Sequence, residues 1–464
     1  MEPVLLIDIG STYTKVAAVD IERQCIVGTA RSFTTVETDV NEGLRSALNK
    51  LRNITGTNDY CEKYACSSAA GGLRMVAAGL VPVLTAEAAK MAALSAGARV
   101  LKTYSYELTD KEAAEINSLR PDIVLLSGGT DGGNKTTVLN NAKKIASIKC
   151  NFPVVIACNK TAAEDAAAVL TAGGKDARIC ENVMPEFNVL NISPAQEMIR
   201  QIFLERIIEA KGLAKVQELT AGILMPTPAA VLKAAVLLST GIKNEKGLND
   251  LLVIDVGGAT TDVYSITDGR PQISAVIMKG IPEPYEKRTV EGDLGVRYSA
   301  ASLAEAAGID EIAARARISS EEAFRLIDMI SRKPGLLASD DVVIGHIDNT
   351  LASLAVKLAV ERHAGRISTA FTISGEVFIQ TGKDLGSVET IIGTGGPVIN
   401  GENPEAILSE ALRDKNNPEI LKPVKAKMML DRKYILSSMG LLSVKYPDIA
   451  LAIMKKELEM IRWN

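Results

Sequence analysis

Aromatic residues are scarce in this chain of 464 residues: Phe, Trp and Tyr together make up 4%, with a single Trp. Proteins that hold single-stranded nucleic acid stack bases on aromatic platforms, and few platforms exist here. Positive charge is not in excess either. The formal net charge is −4, so the basic footprint of a nucleic-acid binder is missing. Histidine is limited to His346 and His363, and the cysteines Cys25, Cys61, Cys66, Cys150, Cys158 and Cys180 form no CxxC pair. That argues against a zinc site and reads as the reduced thiols of a cytoplasmic protein. Long uninterrupted apolar runs are missing. The stretch Ala221–Leu238 is broken by Pro226, Pro228 and Lys233, which suits a buried helix better than a membrane span. The chain opens directly on a strand pattern, so no signal peptide is expected.

Apolar residues make up 47% of the chain, enough for sizeable cores in two to four domains. Small and aliphatic types dominate, as in α/β proteins with buried parallel strands. The most informative feature is a pair of matching segments, LLIDIGSTYTKVAAVD at Leu5–Asp20 and LLVIDVGGATTDVYSI at Leu251–Ile266. Each runs from an apolar stretch through Asp and small residues to a second apolar stretch, the pattern of a β-hairpin. Gly10, Gly257 and Gly258 remove side chains where backbone would approach an anion. Consecutive N–H groups in such turns form an anion nest, and Ser11, Thr12, Thr260 and Thr261 add hydroxyl donors. Asp8 and Asp255 fall at the ends of buried strands, where an unpaired carboxylate is costly. A hydrated Mg²⁺ carried by phosphates would relieve that cost. One such hairpin alone is as readily an ordinary Asp-Gly turn. The matched pair points to a clamp that holds a polyphosphate from two sides.

Between these hairpins the pattern changes. A third strand is predicted over 24–35 and an amphipathic helix over 41–54, with Leu44, Leu48 and Leu51 on one face. Short strands at 81–84, 99–104, 123–126 and 153–157 alternate with helices at 86–96, 110–118, 135–147 and 162–172, with Thr85 as an N-cap. That alternation predicts a separate, doubly wound parallel sheet, left through a helix over 193–211. Within it, LLSGGTDGGN (Leu125–Asn134) links a strand to a helix. It reads either as a tight turn or as a small-molecule or phosphate site. Downstream, Gly222–Gly241 predicts a buried helix entered through Pro226 and Pro228 and stopped by Gly241. Val290–Leu303 predicts a turn opening a helix, with Glu291, Asp293 and Arg297 beside glycines, as readily a surface turn as a loop near a ligand, and 311–316, 320–330 and 346–363 predict further helices. A strand is expected over 369–374. IIGTGGPVIN (Ile391–Asn400) is a third glycine loop, flat enough for a purine or ribose. Helices are expected over 434–445 and 447–461.

The order of these parts resembles the actin-like ATPase superfamily of actin, sugar kinases and heat-shock chaperones. DIGSTYTK matches its first phosphate loop through Asp8, Gly10, Ser11, Thr12, Tyr13 and Lys15, and DVGGATTD its second through Asp255, Gly257, Gly258, Thr260, Thr261 and Asp262. MPTPAAVLKAA resembles the first connecting helix, and GTGGP the adenosine loop, with Gly393, Gly395 and Gly396. The whole chain is similar to the MutL (GlmL) family of glutamate mutase accessory proteins, which is unrelated to the mismatch-repair protein of similar name. IDIGSTYTK, LLSGGTDGGN, DVGGATTDV, VEGDLG and IGTGGP carry that likeness.

The resemblance implies a two-lobed actin-like (ribonuclease H-like) α/β ATPase fold with an inserted doubly wound domain. Residues 1–60 would begin the first lobe, 61–211 form the insert, 212–246 the connecting helix, 247–430 the second lobe and 431–464 returning helices. It implies ATP and Mg²⁺ as cofactors, with Asp8 and Asp255 as catalytic and metal-holding carboxylates. It implies an adenosylcobalamin-dependent mutase as partner and an ATP-driven reactivating role, and leaves oligomerisation open. One departure stands out. Heat-shock chaperones open the connecting helix with a Glu that positions water, whereas Met225 stands here. Slow hydrolysis, or a role for Asp8 or another carboxylate, follows. A small-molecule kinase, a hydantoinase or oxoprolinase-type subunit and an actin-like filament protein are the competing expectations.

Overall fold

The computed structural model describes residues 2–10, 13–34, 40–68, 73–210, 223–272, 276–335, 342–373 and 375–462. The chain forms two compact units. The first comprises Met1–Lys233, Gly280–Pro282 and Ser437–Ala450; the second comprises Ala234–Lys279, Glu283–Leu436 and Leu451–Asn464.

Strands of the first unit are β1 (Val4–Ile9), β2 (Tyr13–Asp20), β3 (Cys25–Phe33), β4 (Glu62–Ser67), β5 (Arg74–Gly79), β6 (Arg99–Ser105), β7 (Ile123–Gly128), β8 (Val154–Cys158), β9 (Ala177–Ile179) and β10 (Ile223–Pro226). One sheet has the order β10-β4-β1-β2-β3. Its β1-β2-β3 part is an antiparallel meander, and β4 and β10 run parallel to β1. Every residue of β1 is buried, as an apolar run in a sheet centre should be. The second sheet is parallel throughout, in the order β6-β5-β7-β8-β9. Strand alternation splits its side chains between two cores. Met75, Ala77, Ile123, Leu125 and Val155 face one layer of helices, and Val76, Ala78, Val124, Leu126 and Val154 face the other.

The second unit holds β11 (Gly241–Ile242), β12 (Glu245–Lys246), β13 (Leu251–Val256), β14 (Thr261–Ile266), β15 (Val276–Lys279), β16 (Glu286–Glu291), β17 (Arg366–Thr372), β18 (Gly375–Thr381), β19 (Thr390–Thr394), β20 (Lys427–Leu430) and β21 (Glu459–Arg462). Its main sheet runs β16-β14-β13-β19-β20-β21. Here too an antiparallel meander, β13-β14-β16, continues on its other side into parallel strands, β19 and β20. Each unit thus repeats the strand order expected of the actin-like, ribonuclease H-like fold. Leu252, Ile254, Val263, Ile391 and Met428 are fully buried beneath the helices Ala300–Ala307 and Val342–His363.

Several predicted elements move. Residues 81–84 are not a strand: the strand is Arg74–Gly79, and Pro82–Ala86 is a wide helical turn leading into the helix Glu87–Ser95. Thr85 caps no helix. Its hydroxyl instead accepts the N–H groups of Leu80 and Val81, at 2.8 and 3.1 Å. The helix entered through Pro226 and Pro228 runs Thr227–Thr240 and stops at Gly241, and the residues ahead of it form β10, paired with β4. The last helix stops at Glu457, and Glu459–Arg462 returns as an edge strand on β20. Ile309–Ala316, Ser320–Arg332 and Val342–His363 are helices near the expected places. Among the described residues no helix is long and apolar enough to cross a membrane.

Candidate functional site

In the first unit the β1–β2 turn is closed by Gly10 N–H donating to Tyr13 O at 3.1 Å. A Cβ on Gly10 would stand 2.7 Å from that same oxygen, so the turn needs glycine. Ser11 and Thr12 lie outside the described residues. Asp8, two residues before the glycine, is 1% exposed. Burying a carboxylate is tolerable only with partners, and four converge on it. The Thr227 hydroxyl donates to Oδ1 at 2.7 Å and the Ser437 hydroxyl to Oδ2 at 2.8 Å. Cys66 Sγ lies 3.5 Å from Oδ1, and Lys15, its cross-strand neighbour, places Nζ 3.9 Å from Oδ2. Burial, with Asp8 beside it, pushes the Cys66 thiol well above its ordinary pKa, so Cys66 remains a neutral donor. Tyr13 packs on Phe33 with ring centroids 4.5 Å apart, and Arg31 covers its face at 5.5 Å.

The second unit repeats the turn. Gly257 N–H donates to Thr260 O at 2.8 Å. The loop is braced from behind by the GDLGVR segment. Val296 N–H donates to Gly257 O at 3.2 Å, and the N–H groups of Arg297 and Tyr298 both reach Gly258 O at 2.8 Å. Ser299 Oγ donates to Ala259 O at 2.8 Å. Arg297 is held in turn by a forked pair to Asp348, at 2.7 and 2.5 Å. The predicted alternatives for this segment, ligand loop or surface turn, resolve into a scaffold for the loop.

Asp255 and Asp262 are cross-strand partners, a repulsive pair if both are left bare. Arg288 relieves it, with Nε and Nη2 at 2.9 and 2.6 Å from Asp262 Oδ1. Thr260 donates to the other Asp262 oxygen at 3.2 Å. Thr261 is fully buried and its hydroxyl donates to Leu294 O at 2.7 Å. Asp262 and Thr261 therefore carry structural partners, and the Thr260 hydroxyl on the turn itself donates to Asp262.

The third glycine loop joins this half-site. Gly395 has φ +90°, and a Cβ there would stand 2.1 Å from Val256 O and 2.7 Å from Asp255 Oδ1. The loop thus lies directly against the end of β13. A Cβ on Gly396 would make only ordinary van der Waals contacts, the nearest with Tyr434 Oη at 3.7 Å. Gly393 sits inside β19, where its missing side chain admits Leu408 and Val398 at 2.9 Å; its glycine is explained by packing. Asn400 and Tyr434 flank Gly396, with Asn400 Nδ2 2.9 Å from Gly396 O and 3.5 Å from Tyr434 Oη. Sequence reasoning missed Thr227, Ser437, Asn400 and Tyr434. The only local signal was Thr227 beside the notable Met225, which is itself buried at the end of β10.

Among the described residues no three His, Cys, Asp or Glu side chains cluster as a metal cage. The donor set fits a hydrated Mg²⁺ instead. Oδ1 of Asp8 accepts from both Thr227 and Cys66, while Oδ2 accepts the Ser437 hydroxyl and keeps a lone pair for a metal-bound water.

The family model described as MutL protein matches residues 4–458. Protein MutL of Clostridium tetanomorphum is 47% identical over 460 residues, covering 99% of both chains. Among solved structures, the activator of the 2-hydroxyisocaproyl-CoA dehydratase from Clostridium difficile with bound ADPNP aligns over 99% of this chain and 100% of its own, at 10% identity and TM-score 0.34. A diol dehydratase-reactivating factor in nucleotide free form aligns over 97% and 100%, at 10% identity and TM-score 0.37. The chain belongs to the MutL protein family.

Proposed function

We propose that the protein binds ATP with Mg²⁺, hydrolyses it slowly, and serves as a cytoplasmic accessory, reactivating chaperone of an adenosylcobalamin-dependent mutase such as glutamate mutase. One observation carries the nucleotide reading. The same closed turn occurs in both units, Gly10 on Tyr13 and Gly257 on Thr260, each preceded two residues earlier by a strand aspartate. Phosphates are taken by the β1–β2 and β13–β14 turns, through backbone N–H groups and the hydroxyls of Ser11, Thr12 and Thr260. Lys15 adds positive charge, and the adenosine lies on Gly395 and Gly396 beside Tyr434. Mg²⁺, when bound, neutralises charge on the phosphates; Asp8 and Asp255 hold it through its waters. Asp8, fixed by Thr227 and Ser437, orients the attacking water. Phosphoryl transfer asks mainly for such positioning and charge neutralisation.

Met225 supports slow turnover, because a thioether neither accepts a proton nor orients water. Slow turnover suits a switch: loss of the γ-phosphate removes contacts from the loops that held it. The parallel-sheet insert passes that change to the mutase. The test uses a mutase inactivated by turnover, fresh adenosylcobalamin, Mg²⁺ and this protein. Mutase activity returns with ATP and not with a non-hydrolysable analogue. Recovery without nucleotide, or ATP consumption with no effect on any such mutase, contradicts the proposal.

A further inference from the structure

The second unit contains a cavity that the nucleotide reading does not use. It measures about 600 Å³ and opens to solvent, a size within the range of small-molecule sites, about 300–1,000 Å³. Glu283 and Lys287 line it from β16 and the residues just ahead of that strand. Leu358, Glu361 and Arg362 line it from the last turns of the helix Val342–His363, and Arg366 from the start of β17. Several of these polar groups lack partners. Glu283 is 11% exposed; its Oε1 accepts from Lys287 Nζ at 3.1 Å, while Oε2 is buried with no partner among the described residues. Glu361 is 16% exposed, and Lys422 Nζ stands 3.9 Å from it, beyond hydrogen-bond reach. Arg366, 59% exposed, likewise stands 3.9 Å from Glu419.

A carboxylate taken out of water without donors is costly, and buried polar groups of folded proteins are nearly always paired. Two such carboxylates and one guanidinium on a single cavity fit a ligand that brings N–H donors for the first and an anionic oxygen for the second. A simple amine would leave Arg366 unmet. A simple anion would meet both glutamates. We infer that the cavity binds an α-amino acid as its zwitterion. The ammonium lies on Glu361, with Glu283 adding negative charge beside it. The carboxylate lies on Arg366, and the first carbons of the side chain rest on Leu358.

One wall of the cavity is tied to the second glycine turn. Arg362 Nη1 donates to Glu291 and Asp293, each at 2.8 Å, and Nη2 to Asp293 at 2.9 Å. These carboxylates open the segment whose Val296 and Arg297 N–H groups bond Gly257 O and Gly258 O. An amino acid that fixes this wall therefore changes ATP affinity, and ATP changes amino-acid affinity by the same factor. That link, unlike the cavity itself, rests on the nucleotide reading.

Isothermal titration of the full chain with L-glutamate and with L-leucine tests this. At least one of them binds at millimolar concentration or below. Glutarate and 4-methylpentanoate, which lack the ammonium, and isoamylamine, which lacks the carboxylate, bind at least tenfold more weakly. Arg366→Gln, on an exposed side chain, weakens amino-acid binding at least tenfold and leaves the ligand-free melting temperature in place. Glu361→Gln weakens it at least tenfold as well. A wild-type chain that binds neither amino acid, binding untouched by both substitutions, or one-charge compounds that bind as tightly as the amino acid overturn the inference. Amino-acid binding that leaves a measured ATP affinity unchanged overturns the link through Arg362. Amino-acid binding by a chain that takes up no ATP supports the cavity and counts against the nucleotide reading alone.

Discussion

Gly395 and Gly396 are neighbours in one loop, yet alanine should treat them oppositely. At Gly395 the backbone has φ +90°, and a Cβ would meet Val256 O at 2.1 Å and Asp255 Oδ1 at 2.7 Å. The Val256 carbonyl is backbone at the end of a central strand and cannot swing away as the Asp255 carboxylate could. The left-handed backbone costs an L-residue about 1–2 kcal/mol. The overpacking adds about 1–3 kcal/mol. Gly395→Ala should therefore destabilise the second unit by about 2–5 kcal/mol. For a unit of this size that lowers its melting transition by roughly 4–20 °C, at about 2–4 °C per kcal/mol. At Gly396 the nearest atom to a Cβ is 3.7 Å away. Gly396→Ala should thus leave the melting temperature within a degree or two. It should still weaken ATP binding, because the added methyl stands where the adenosine is proposed to lie. Differential scanning calorimetry of both variants, with isothermal titration of ATP·Mg²⁺, separates the two effects. A Gly395→Ala protein as stable as wild type would refute the packing argument, and a Gly396→Ala protein with unchanged ATP affinity would refute the adenosine placement.

Other predictions concern the buried charges. Thr227→Val and Ser437→Ala each strip a donor from a buried Asp8 oxygen and should cost about 1–3 kcal/mol, with ATP turnover falling further than stability accounts for; steady-state phosphate release checks it. Arg288→Met leaves Asp262 buried without its counter-charge and should cost about 3–5 kcal/mol in urea unfolding. His363 is fully buried, with Nδ1 and Nε2 each 2.8 Å from a hydroxyl, those of Thr289 and Ser265. Burial holds its pKa well below the ordinary histidine value. Below pH 6.5 the unfolded chain takes up a proton that the folded chain refuses, so stability should fall with acid by about 1.4 kcal/mol per pH unit from this residue. His363→Gln should flatten that part of the pH dependence, and an unchanged slope would contradict it.

The two hairpins were legible because both signals are local: apolar runs of strand length, then Asp and glycine at fixed spacing. The parallel sheet was legible through its alternation of short apolar strands with helices such as Lys160–Ala172. Strand Arg74–Gly79 was not, since RMVAAG carries little β-branched character and gains its place from neighbours on both sides. Glu459–Arg462 continues a helical pattern by propensity and becomes a strand only by pairing with β20. The partners of Asp8 were beyond sequence reading for a different reason. Thr227 and Ser437 lie 219 and 429 residues from it along the chain, and no local pattern announces such a contact. Local rules likewise assigned Thr261, Asp262 and Gly393 to the nucleotide, whereas a buried hydroxyl bond, an ion pair and side-chain packing respectively occupy them.

The central proposal is that the protein binds ATP·Mg²⁺ and that the glycine turn of each unit contributes to that binding. Isothermal titration of ATP·Mg²⁺ into the wild-type chain, Asp8→Ala and Asp255→Ala tests it most directly. The account predicts one site per chain in the wild type, and loss of at least tenfold in affinity in each variant while both remain folded. Wild-type protein that binds no ATP at millimolar concentration, or either variant binding as tightly as wild type, would contradict it.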